Sequence, residues 1–113
     1  MPESILTSIK KLLGITEEYA HFDADIIMHI NTAFMILAQL GVGPQEGFSI
    51  SDASAVWSDF LPDGKNFAAV KSYTYLQVRL LFDQTQSSVV KEQIQDKLKE
   101  LEWRLNVEAE SGS

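Results

Sequence analysis

The side chains best suited to chemistry lie close together between residues 21 and 29. His21, Asp23 and Asp25 alternate with apolar residues, and His29 follows Asp25 by one helical turn. Residues four apart share a helix face, so Asp25 and His29 could bind one divalent metal ion together. A catalytic metal site usually needs about three protein ligands, and only two are well placed here. We therefore favour a structural role, in which the aspartates stabilise a helix N-terminus.

No other residues form a recognisable catalytic motif. Glu17 and Glu18 lie in a short connector, where adjacent carboxylates are usually hydrated. The chain has no cysteine, which excludes disulfides, thiolate catalysis and zinc sites built on sulfur. It has no Gly-x-Ser-x-Gly motif and no phosphate-binding glycine loop. We predict no enzyme activity and no catalytic, cofactor-binding or metal-binding residues; a metal-dependent enzyme using His21, Asp25 and His29 is the least favoured alternative.

The charge balance argues against general binding to nucleic acid. The formal net charge is −7, whereas a grip on phosphate backbones needs a basic face. Lys71, Tyr75 and Arg79 fall on one helix face. With Lys65 they supply only three basic groups, which make a weak patch against this background. A small DNA-contacting packaging or regulatory protein is therefore an alternative, and we favour a hydrated or subunit-contact face for these residues.

Hydrophobic periodicity and capping signals predict a small all-α bundle of about five helices with one longer loop. The single domain spans residues 1–113, and residues 108–113 are expected to be flexible. Ser4 caps the first helix and Gly14 ends it, Ser51 or Asp52 caps the third, and Asn66 and Ser88 cap the last two. The first two predicted helices are residues 5–13 and about 25–40. A short third helix follows Ser51 or Asp52 and holds Val56, Trp57, Phe60 and Leu61; the fourth runs from the Asn66 cap to about residue 83 and the fifth from the Ser88 cap to about residue 107. A loop at 41–51 and a polar break at 84–87 separate them.

The helix predicted at residues 25–40 is apolar nearly all round. Such a helix must be covered on nearly every side, and a chain of 113 residues covers only part of it. It is too short for a membrane span and contains polar residues, so we expect no membrane contact. A second subunit or a partner protein is the expected cover. Trp103, which lies off its helix's apolar stripe, is a better interface candidate than Trp57. The predicted subunit-interface residues are Met28, Met35, Lys71, Tyr75 and Arg79.

Nearly the whole chain, from about residue 4 to residue 108, resembles the head–tail connector proteins of tailed phages and prophages. No single motif is specific, but the order and spacing of several short stretches are. These stretches are residues 25–27, Asn31 and residues 40–43, 57–61, 70–73, 78–83 and 101–105.

The resemblance implies a structural adaptor, also called a head-completion or DNA-packaging protein. Such proteins form a homo-oligomeric ring of roughly a dozen copies under the portal protein, and the ring continues the DNA channel towards a tail-side completion protein. DNA passes through without sequence-specific binding, and the protein is made in the host cytoplasm and incorporated into the virion. The residues implied to face the portal are Leu101, Trp103, Arg104 and Leu105. Those implied to form the tail-side loop are Gly43, Pro44 and Phe48.

Overall fold

A computed structural model describes residues 3–83 and 85–111 of the chain. In this part of the chain five α-helices follow one another, with one isolated bridge between Ser4 and Val56 and no strand. The predicted all-α fold is therefore confirmed. The helices are α1 (Ile5–Leu12), α2 (Asp23–Gln39), α3 (Trp57–Phe60), α4 (Phe67–Phe82) and α5 (Ser88–Ser111).

The core forms mainly where α2 packs against α4. α1 lies over this pair, and α5 packs along α4. The buried stripe of α2 recurs at the three- and four-residue spacing expected of a helix that faces a core. Its members are Ile26, Ile30, Ala33, Phe34 and Leu37. Aromatic rings extend the core towards α3, with Phe34 stacked on Phe60 at 4.3 Å between ring centroids.

The boundaries of α1 follow the signals in the sequence. The Ser4 hydroxyl accepts a hydrogen bond from the Thr7 N–H at 3.2 Å, which satisfies one of the free donors of the first turn. Gly14 follows the helix with φ of +81°, a conformation that glycine adopts without steric cost. The capping prediction for this helix is confirmed.

The third helix is shorter than predicted, and neither Ser51 nor Asp52 caps it. The Asp52 carboxylate instead accepts a hydrogen bond from the Ser54 N–H at 2.9 Å and forms a local turn. α3 begins only at Trp57, and the Asp59 carboxylate accepts from the Val56 N–H at 3.1 Å. The Asp52 side chain thus bonds to the backbone N–H two residues later, and this local turn forms in place of the first turn of a longer helix.

The caps of the last two helices also differ in detail. Asn66 precedes α4 as predicted, but it has φ of +61° and its side chain makes no capping hydrogen bond. Ser87, rather than Ser88, accepts from the Val90 N–H at 3.2 Å. Gln84, part of the predicted polar break, lies outside the described residues.

α5 continues to Ser111, past the predicted end at Val107. Its last turns pack on the end of α2: the Asn106 side-chain amide donates to the Leu40 carbonyl at 3.2 Å. An added Cβ at Gly41 would lie 3.1 Å from the Ala109 Cβ, so the two backbones approach closely there. Contact with the end of α2 therefore stabilises the last turns of α5 as a helix, although residues 108–113 were expected to be flexible. Gly112 and Ser113, which belong to the predicted flexible tail, lie outside the described residues.

Asn31 holds the long loop against α2. Its amide nitrogen donates to the Ile50 carbonyl at 3.0 Å, and its amide oxygen accepts from the Ile50 N–H at 2.8 Å. Ile50 is buried, so water does not readily replace these bonds.

Replacing Asn31 should loosen this attachment. We expect Asn31→Ala to lower the free energy of unfolding by about 2 kcal/mol, because it leaves a buried donor and a buried acceptor unsatisfied. Urea denaturation followed by circular dichroism measures the change. Thr32→Ala is the control, since among the described residues the Thr32 hydroxyl bonds only to the Met28 carbonyl of its own helix. Equal losses for the two variants would contradict the proposed role of Asn31.

Tyr73 joins α4 to α5. Its ring is fully buried and its hydroxyl donates to the Glu102 carboxylate at 2.7 Å. Burial, together with the adjacent carboxylate, raises the pKa of Tyr73 well above its usual range.

The raised pKa predicts a loss of stability at high pH. The folded state retains the Tyr73 proton more tightly than the unfolded state, so the contribution is complete below the unfolded pKa of about 10 and is lost as pH rises above it. We expect wild-type unfolding free energy to fall above pH 10 by up to about 1.4 kcal/mol per pH unit more than that of Tyr73→Phe. Urea titrations at several alkaline pH values measure both slopes, and parallel slopes would contradict this assignment.

Candidate interaction surfaces

A wide groove opens where the end of α1, the start of α2 and the C-terminal half of α4 meet. Its volume is about 870 Å³ and its walls are mainly apolar. We call it the α1–α2–α4 groove. Its lining residues are Leu12, Leu13, Ile15, Phe22, Asp25, His29, Tyr75, Arg79, Leu81, Phe82, Asp83 and Thr85.

Asp25 and His29 both line this groove, as their helical spacing predicts, but His21 does not. The His21 ring packs edge-on against Phe22 at 4.7 Å between ring centroids. In the described residues no three His, Cys, Asp or Glu side chains come close enough to hold a metal ion. The described residues therefore offer no support for the metal-enzyme alternative.

Asp23, the remaining acid of this cluster, belongs to an ion pair. Its carboxylate lies 2.8 Å from the Lys10 ammonium, which is almost completely buried. The same ammonium donates to the Glu17 carbonyl at 3.0 Å. Lys10 and Asp23 thus connect α1 to α2. The sequence had indicated only that Asp23 suits the N-terminus of its own helix.

Lys71, Tyr75 and Arg79, predicted to share one helix face, do not all lie on the same surface of the folded chain. Tyr75 and Arg79 line the groove, whereas the Lys71 ammonium pairs with the Glu3 carboxylate at 2.6 Å and lies over the Phe67 ring. Lys71 is therefore engaged within its own subunit, which further weakens the case for a DNA-binding face.

The edge of the groove also carries acidic charge. The hydroxyl and the N–H of Thr85 donate to the Asp83 carboxylate at 2.7 and 2.9 Å. These bonds hold the pKa of Asp83 below its usual range, and nearby Arg79 acts in the same direction. Asp83 is therefore ionised at neutral pH, so Arg79 has an anionic neighbour on this edge.

The excess apolar surface predicted for the second helix is present. Met28 and Met35 are each 57% exposed and lie seven residues apart, on the side of α2 opposite its buried stripe. α4 has no such surface, because its large apolar residues are all buried or half-buried. An exposed apolar face is therefore present on α2 and not on α4.

The segment expected to face the portal divides into two sides. Leu101 and Leu105 are buried in the core, so their side chains are not available to a partner. Trp103 is 68% exposed, and Arg104 lies beside it with its guanidinium 3.1 Å from the Glu100 carboxylate. The leucines are three and four residues from their neighbours in the apolar stripe, which already identified them as core positions. Trp57, in contrast, is buried and donates from its indole N–H to the Ser8 hydroxyl at 2.8 Å.

The predicted tail-side loop is anchored rather than fully open. The Phe48 ring packs against Phe34 and Phe60, at 5.7 and 5.3 Å between centroids. Gly43 lies against the Phe60 ring, and Pro44 is half-buried. The solvent-facing tip of this loop is formed by Gln45 and Glu46.

Comparison with known proteins gives one match. The family model described as phage connector protein matches residues 5–112. No curated protein and no solved structure matches the chain significantly. No helix in the described residues combines the length and the apolar character of a membrane span. A family model that covers all five helices shows that this chain belongs to the phage connector protein family.

Proposed function

We propose that this protein is a structural head–tail adaptor whose copies form a ring that extends the portal DNA channel towards the tail. The observation that carries the proposal is the connector-family match, which covers nearly the whole chain. Membership of this family supports a connector role at the junction of head and tail. The ring, the portal contact and the channel are the parts that we add.

The surfaces described above support the added parts. Met28, Met35 and Trp103 are large apolar side chains left in solvent, and such residues commonly lie in protein–protein contacts. In the proposed ring the exposed faces of α2 and α5 and the α1–α2–α4 groove contact neighbouring copies. The end of α5 contacts the portal, and the loop tip at Gln45 and Glu46 faces the tail-side completion protein.

The mechanism in this proposal is geometric. The adaptor sets the width of the channel and joins two proteins that do not otherwise fit each other. A formal net charge of −7 suits a lumen through which DNA slides, because it disfavours adhesion to phosphate groups.

The first test is the native mass of the purified protein over a wide range of concentrations, with negative-stain images of any large species. The measurement is repeated after adding the portal protein of the same phage or prophage. We expect a ring of roughly a dozen subunits with a central hole, formed by the free protein or on the portal. A protein that stays monomeric in both experiments would contradict the proposed function.

A further inference from the structure

We infer that Trp103 of one copy binds in the α1–α2–α4 groove of a second copy, and that this contact repeats from subunit to subunit. The inference rests on the proposed ring and names the two surfaces that join its neighbours. It also reassigns Trp103, since the family resemblance implied a contact with the portal.

Trp103 is the most exposed large apolar side chain in the described residues, at 68%. Its direction follows from helix geometry, in which each residue turns by about 100°. Trp103 lies on the side of α5 opposite the buried stripe, and Val107 follows it one turn later. The stripe consists of Ile94, Leu98, Leu101 and Leu105. The indole therefore points away from its own subunit.

The groove offers a matching concave surface. Phe22 and Phe82 meet edge-on in its wall, at 5.2 Å between ring centroids, and Leu12 beside them is 46% exposed. A volume of about 870 Å³ is large enough for an indole and the helical turn that bears it. Aromatic and aliphatic walls favour a tryptophan, which gains from both burial and ring contacts.

The two surfaces lie on opposite sides of the subunit. On α4, Tyr73 points to α5 and bonds to Glu102, whereas Tyr75 lines the groove. These residues are two positions apart, which corresponds to a rotation of about 200° around the helix axis. A contact between different surfaces of identical subunits is heterologous, and repetition of such a contact gives a closed ring or a filament.

Charges of both signs flank each surface in a complementary way. Glu100 and Arg104 lie one turn and one residue from Trp103, and they are mutually paired on an exposed surface. In the groove, Arg79 and Asp25 form no salt bridge with the described residues of their own subunit. The incoming helix would therefore supply a cation for Asp25, from Arg104, and a second anion beside Asp83 for Arg79, from Glu100. This complementarity favours a second copy over an entirely apolar partner.

A photo-crosslink locates the contact directly. We would introduce Trp103→p-benzoylphenylalanine, which keeps an aromatic ring at this position, and mix isotopically labelled and unlabelled protein. After irradiation of the assembled protein, mass spectrometry should identify links between different copies, ending in residues 12–15, 22–29 or 75–85. The control places the same amino acid at Val89, which is also exposed on α5 but lies four turns away. Links from position 103 only to other surfaces, or to the portal in a portal-bound ring, would overturn the inference.

A complementation experiment tests whether the contact is heterologous. Trp103→Ala removes the indole and leaves the groove intact, whereas Leu12→Glu blocks the groove and leaves the indole in place. Both side chains are exposed, so both variants should fold. Circular dichroism checks that they do. We expect each variant alone to be monomeric at concentrations at least tenfold above those at which wild type assembles. An equimolar mixture should give a one-to-one dimer and no larger species. If either variant forms normal rings, the inference fails while the proposed function stands; if wild type never forms a ring, even on the portal, the proposed function fails.

Discussion

Gly43→Ala should lower the free energy of unfolding by about 2–5 kcal/mol, a large part of the stability of a small domain. Gly43 has φ of +89°, which costs a residue with a side chain about 1–2 kcal/mol. An added Cβ would also lie only 2.4 Å from Cε1 of Phe60. That ring is stacked on Phe34 and touches Phe48, so it cannot move without opening the aromatic core. Urea denaturation at constant pH measures the loss.

Gly47→Ala is the matched control for this variant. Gly47 has the same φ of +89°, but an added Cβ would have no heavy atom within 4 Å. Only the backbone cost of about 1–2 kcal/mol should remain. The difference between the two variants therefore isolates the contact with Phe60. If both variants lose the same amount, the loop does not pack on Phe60 as described.

Asp23→Ala should be the second severe change, with a loss of about 3 kcal/mol. The Lys10 side chain is only 3% exposed, and without Asp23 its ammonium keeps a single described partner, the Glu17 carbonyl. A buried charge without a counter-ion is costly because it has lost its water. Asp23 is 29% exposed, which places the expected loss at the lower end of the range for buried pairs.

Two further variants identify the cause of this loss. Asp25→Ala removes an acid from the same first turn, where it suits the helix dipole but forms no ion pair in the described structure, and should cost about 0.5 kcal/mol. Lys10→Met combined with Asp23→Ala should recover most of the stability, because an apolar chain of similar length replaces the buried cation. Urea midpoints give all three values. A double variant as unstable as Asp23→Ala would show that the ion pair is not the reason.

Part of the candidate site followed from the sequence and part did not. The exposure of Met28, Met35 and Trp103 was predictable, because each lies off the apolar stripe of its helix. The groove was not predictable, since it is made by the ends of three helices that are distant in the chain. Leu12 and Phe22 in particular carry no signal of their own: an apolar residue at a helix end is compatible with either core or surface.

The sequence by itself determined the helical fold, most helix positions and the family. These features depend on local physics: hydrophobic residues at helical spacing select a helix, and serine, glycine and proline mark where it starts or stops. Ser4, Gly14 and the stripe from Ile26 to Leu37 therefore gave reliable predictions. Where local signals competed, as at Ser51 and Asp52, the predicted helix start was wrong.

Only the tertiary structure decided which apolar sides are covered and which charges are buried. Lys10 and Lys71 look ordinary in sequence, yet one forms a buried ion pair and the other binds the N-terminal segment. Helical periodicity defines a face but does not name the element that will pack on it. That choice depends on contacts between segments up to 68 residues apart, such as Glu3 with Lys71, and on the free energy of the whole bundle.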